Sequence, residues 1–225
     1  MDPDYKAAFD AYLTVLGSKP HIEPKPGERL PIDDLDVTVV SSAGTTLSTP
    51  LSGAGGNNEA CQAGSESARD PYENPRSTGV VIRYGKFRLL DLGDLGGQPL
   101  FNLACPKSMI GLVDAYLVAH HGGPDADVLE TFGAFAPRVA IMNNGTKKGG
   151  ALATYQGLHQ ASGLENVWQL HRSDDAGDSN FDAEYVANLD EGTSHWLKLS
   201  ARRDGSFRVF NQRTGESKSY APRSR

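Results

Sequence analysis

The chain is short of cysteine, with two in 225 residues, Cys61 and Cys105. No Cys-x-x-Cys pair exists, which argues against a thiolate zinc clip. Both cysteines sit in loop-like sequence. Two readings are open: a disulfide closing the loop between them, worth about 3–4 kcal/mol by chain entropy, or a pair of free thiols. The first implies a periplasmic or secreted protein, the second a cytoplasmic one. Long apolar runs are also missing. None approaches the roughly 18–20 residues of a membrane span, so no membrane partner is expected. Met1-Asp2-Pro3-Asp4-Tyr5 has neither the basic start nor the apolar stretch of a signal peptide. Basic charge is scarce: 22 Lys and Arg face 28 Asp and Glu, a net charge of -6. That argues against a nucleic-acid groove over the whole surface, while leaving room for a local patch. Nucleic acid is therefore not an expected partner of this chain alone. Neither the Gly-x-Ser-x-Gly elbow of serine hydrolases nor the Gly-x-x-x-x-Gly-Lys-Ser/Thr phosphate loop occurs.

Hydrophobic content of 38% is low, and 25 glycines with 13 prolines make the chain loop-rich but still globular. The length suits one sizeable domain, placed at 1–211, with a polar, basic, fraying tail at 212–225. Asp2 and Pro3 are good helix-start residues. Tyr5, Ala8, Phe9, Tyr12, Leu13 and Leu16 recur at helical spacing, which predicts a helix over 2–16 that needs something to pack on. Residues 18–34 read as connector, with His21 solvated. Strands are expected at 35–40, 78–84, 87–92, 113–119, 139–142, 167–170, 196–200 and 206–210. Helices are expected at 127–135 and 151–162. Gly85-Lys86 and Arg203-Asp204-Gly205 mark hairpin turns. Residues 41–77 show no periodicity and read as a long loop insertion. Hairpins followed by alternating strands and helices predict a layered α/β domain.

Two stretches carry the chemistry. Leu89-Leu90-Asp91-Leu92-Gly93-Asp94 is an apolar strand ending in a carboxylate. Tyr116-Leu117-Val118-Ala119-His120-His121-Gly122 is another, ending in two adjacent imidazoles. Carboxylate plus neutral imidazole suits zinc, and manganese or iron(II) less decisively. Side chains alternate along a strand, so one imidazole at most should reach a given ion. Asn143, Asn144, Lys147 and His171 fall at or just past other strand ends, on the expected rim of the same site. Asp174, Asp175, Asp178 and Asp182 could hold calcium, but without the EF-hand spacing an acidic surface loop is the better reading.

Asn74-Pro75-Arg76-Ser77 leading into the hairpin, Leu92-Gly93-Asp94-Leu95 at its end and His120-His121-Gly122 after the next strand together resemble the second half of a metallo-β-lactamase-fold hydrolase. The likeness is to the branch that includes the hydrolase domain of the DNA-uptake protein ComEC, over roughly residues 35 to 175. It implies an αββα sandwich, of which this chain would hold the C-terminal half plus a helix. It implies Asp94 as the ligand bridging two metal ions, His121 as a terminal ligand, and His120 behind it or facing substrate. The family's His-x-His-x-Asp-His motif is missing, and no His-x-His occurs anywhere. The zinc site would then be incomplete. Two functions from different classes follow. One is a metal-dependent hydrolase of a small phosphodiester, lactone or other ester, completed by a homo-oligomer or an N-terminal half. The other is a half-domain acting only as a binding or structural module. Loss of half the fold would also leave an apolar sheet face exposed.

Overall fold

The computed structural model describes residues 3–61, 73–126 and 128–224, and side chains from Lys6 onward within those ranges. The Asp2 cap, the Tyr5 side chain, the Asp127 helix start and the 62–72 part of the long loop lie outside them. In chain order the elements are α1 (Pro3–Leu16), β1 (Arg29–Leu30), β2 (Asp36–Ser42), β3 (Thr45–Thr46), β4 (Gly79–Tyr84), β5 (Phe87–Asp91) and α2 (Gly97–Ala104). Then come β6 (Ala115–Leu117), α3 (Val128–Phe135), β7 (Val139–Met142), α4 (Leu152–Gln160), β8 (Asn166–His171) and β9 (Val186–Asn188). A terminal meander follows: β10 (Leu197–Ala201), β11 (Phe207–Asn211) and β12 (Glu216–Tyr220).

Strands β1 to β9 form one mixed sheet in the order β1-β2-β4-β5-β6-β7-β8-β9, with β3 paired to β2. The first half is antiparallel; within it the two-residue turns Ala43-Gly44 and Gly85-Lys86 can only fold a strand back on itself. From β5 to β9 the strands run parallel; the first three crossovers carry α2, α3 and α4, and the last, over 172–185, carries only short 3-10 turns. The result is a mixed α/β protein with a mostly parallel central sheet and four α-helices among the described residues.

Strand alternation sorts the residues into two cores. Leu90, Tyr116, Ala140 and Val167 are in register across four strands. They pack with Leu100, Phe132, Phe135, Tyr155 and Leu158 of the helices. The opposite face carries Ala115, Val139, Ile141 and Trp168. The β10-β11-β12 sheet lies on it through Phe207, Val209 and Tyr220. The exposed sheet face expected from a missing half is thus covered by the chain's own end. The layers read helices, large sheet, small sheet.

Two further expectations are corrected, and the open reading of the long loop and its cysteines is decided. The tail does not fray as a whole: residues 216–220 pair along β11, and Tyr220 is buried. The described part of the long loop is ordered against the segment after α2, through Leu51 N–H to Met109 O, Gly55 N–H to Ser108 O and Asn58 N–H to Pro106 O. Asn58 is buried and its amide donates to Ala104 O and Glu130 O. Cys61 and Cys105 are joined as a disulfide, so the loop is pinned to the end of α2. Finally, α1 forms, but Phe9, Tyr12 and Leu13 stay 45–51% exposed. Its apolar face predicted the helix correctly and its burial wrongly. No helix among the described residues is long and apolar enough to cross a membrane.

Candidate functional site

The parallel strands all end at one edge of the sheet, and the chemistry-bearing residues gather there, as expected where loops meet strand carboxyl ends. Asp94 follows β5. His120 and His121 follow β6. Asn143 and Asn144 follow β7, and His171 closes β8.

The imidazoles sit in a tight turn rather than on a strand. Both have left-handed backbone, with φ +50° at His120 and +56° at His121. Each such residue costs about 1–2 kcal/mol, so the surroundings must hold it. His120 N–H donates to Gly93 O, Gly123 N–H to His120 O, and Gly150 N–H to His121 O. The 145–150 loop wraps the turn so closely that a Cβ on Gly149 would lie 2.2 Å from His121 O. That turn, not strand alternation, separates the two rings, whose centroids are 6.3 Å apart.

The two histidines are used differently. His120 Nδ1 lies 2.9 Å from Asp125 Oδ1, and its Nε2 lies 3.2 Å from the Asn74 amide nitrogen. With Nδ1–H donating to Asp125 and Asn74 donating to Nε2, both ring nitrogens have partners. Asp125 is wedged between the two turns: a Cβ on Gly96 would meet its Oδ2 at 2.1 Å. His121 donates from Nδ1 to Asn143 O at 2.9 Å. Its Nε2 then faces Asp94 Oδ1 at 3.3 Å. In the neutral ring both of those atoms are acceptors. Their approach needs a proton on Nε2, giving an ion pair, or a cation shared between them.

A cleft of about 680 Å³ opens beside this turn, lined by His120, His121, Lys147, Lys148, Asp174 and Asp175 among others. Lys147 is held by Glu191 at 3.1 Å. The Thr146 hydroxyl and that ammonium keep the Glu191 carboxyl below its usual range. Asn144 does not reach the rim: it is buried, and its amide donates to His171 O and Gly145 O, tying two strand ends together. His171 lies at the strand edge but does not line the cleft, and its buried Nδ1 has no hydrogen-bond partner among the described residues. Asn143 contributes its carbonyl rather than its side chain.

A closed zinc centre needs three protein ligands and a water. Asp94 and His121 offer two, and among the described residues no group of three or more His, Cys, Asp or Glu side chains could hold an ion. The residues present do not by themselves fit a complete metal centre.

Sequence reasoning placed Asp94 against His121. It missed Asp125 and gave Asn74 no role, although Asp125 stands in the same turn four residues after His121. No protein-family model matches this chain, and no curated protein matches its sequence.

Proposed function

We propose that this chain carries half of the centre of a metal-dependent hydrolase, of the kind its likeness to metallo-β-lactamase-fold hydrolases implies. Asp94 and His121 are two of the ligands, and the others come from outside the described residues, through an N-terminal half or a second copy. The observation that carries this reading is the pair of acceptor atoms brought to 3.3 Å at the ends of neighbouring parallel strands. Oxygen and imidazole donors suit zinc first and manganese or iron(II) next; calcium, which takes six to eight oxygens, fits this pair poorly. The substrate class is a small phosphodiester, lactone or other ester. The Cys61–Cys105 bond suits an oxidising compartment, periplasmic or extracellular.

A second reading has its own support. The small sheet closes the face that the other half of such a fold would cover, and two ligands are too few for turnover. On this reading the chain is a binding or structural module.

Calorimetric titration with zinc separates them. The hydrolase reading expects weak binding by the full chain, lost in both Asp94→Ala and His121→Ala while circular dichroism is unchanged. A stoichiometry indifferent to both substitutions removes the site and leaves the module. Hydrolysis of bis(4-nitrophenyl) phosphate and of a lactone should be feeble until a complementing half is supplied. Robust turnover by the purified monomer, abolished by Asp94→Ala, would mean that the chain completes its own site.

A further inference from the structure

The small sheet has an outer face with a chemistry of its own. Leu197, Leu199, Ala201, Phe207, Val209 and Tyr220 pack towards the large sheet. Alternation therefore turns Lys198, Ser200, Arg208 and Phe210 outward. Lys198 sits directly opposite Phe210, and Ser200 opposite Arg208. Trp196, at the start of the same hairpin, is 46% exposed, and its ring lies 5.3 Å from that of Phe210. At the other end of the face a pocket of about 320 Å³ is lined by Arg202, Arg208, Ser200, Ser206 and Ser219 among others, with no carboxylate among the described residues that line it. Asp204, in the adjoining turn, accepts from the Ser206 N–H and hydroxyl and is near enough to feel the Arg202 charge. Lys198, Arg202 and Arg208 form no ion pair among the described residues. In a chain of net charge -6, this is a cationic, donor-rich pocket beside an open aromatic ledge.

We propose that this face binds single-stranded nucleic acid, with phosphate in the Arg202–Arg208 pocket and bases against Trp196 and Phe210. Guanidinium forks and hydroxyls recognise phosphate oxygens. Every base has a face that can stack on an aromatic ring, but only an unpaired strand offers it. Arg208 and Phe210 are two residues apart on one strand, about 7 Å, a span that a nucleotide's phosphate and base bridge together. The pocket shares no residue with the histidine cleft, so the proposal stands apart from the metal reading.

Fluorescence anisotropy of a labelled oligothymidine with the full chain, in chelator, tests it. Saturable binding is expected, weakening with salt with a log–log slope of about -2 for three cations. Arg202→Ala with Arg208→Ala, and separately Trp196→Ala, should each weaken it about tenfold or more, while Asp94→Ala leaves it unchanged. Because all three side chains are exposed, melting temperatures should hold. A second readout on the unaltered chain is quenching of Trp196 fluorescence by the oligonucleotide, since Trp168 is buried. No saturable binding, or binding indifferent to the arginine substitutions, overturns the proposal. So does equal affinity for duplex, or capture by phosphatidylserine vesicles with none by the oligonucleotide. Loss in the arginine variant but not in Trp196→Ala would leave a plain anion pocket and overturn the single-strand assignment.

Discussion

The two faces of the large sheet are both buried, yet by different means. The helix face is sealed mostly by aliphatic and phenyl groups that carry no hydrogen-bonding demand. The small-sheet face is sealed around a polar chain: Trp168 Nε1–H donates to the Tyr220 hydroxyl, which donates to Asn166 Oδ1. The helix face has a buried phenol too, Tyr155, but it accepts from Gln169, whose amide also donates to Asn180 Oδ1. One network has a single hub and the other has alternatives. Helices satisfy their own backbone and need only apolar contact. A three-stranded meander buries less, and gains registry from directed bonds.

The comparison can be broken in graded steps. Tyr220→Ala removes both the packing against Phe207 and the hub, and should cost about 3–5 kcal/mol in urea unfolding. A loss below about 1 kcal/mol would mean the small sheet does not seal that face. Tyr220→Phe keeps the ring and strands the buried Trp168 Nε1–H and the half-buried Asn166 Oδ1, with an expected loss of about 1–3 kcal/mol. Tyr155→Phe should cost less, about 0.5–1.5 kcal/mol, because Gln169 retains Asn180. If Tyr155→Phe proves the more damaging, the hub argument is wrong.

The smallest effect is alkaline. Burial pushes the phenols of Tyr155 and Tyr220 well above their usual range. A raised folded value means the unfolded chain releases its protons first. Stability from these groups is present below about pH 10 and is lost as the pH rises towards the folded values. Urea midpoints should fall between pH 9 and 11.5 in the wild type and fall less in the double Tyr→Phe variant. An equal fall in both would place the titrating groups elsewhere.

Periodicity and turn chemistry determined most of the strands and helices by themselves. Val139–Met142 matches its expected bounds, and Val128–Phe135 and Leu152–Gln160 do so within two residues, because each apolar pattern had one face to bury. Strand ends followed by Gly-Asp and His-His were enough to set Asp94 near the His120-His121 pair; the choice of His121 came from the family resemblance. α2 went unseen, since Gly97, Pro99 and a short run disguise an eight-residue helix. β12 went unseen because Glu216–Tyr220 is polar on its outer side and borrows its partner from β11. Only tertiary structure decided that α1 stays exposed, that Asn144 is a tie between strands, and that His120 is bound to Asp125 and Asn74. Local sequence specifies which side chains a segment offers. Which of them meet depends on left-handed turns and on contacts closed across long loops, such as Asn74 to His120, and those are made only once the sheet is assembled.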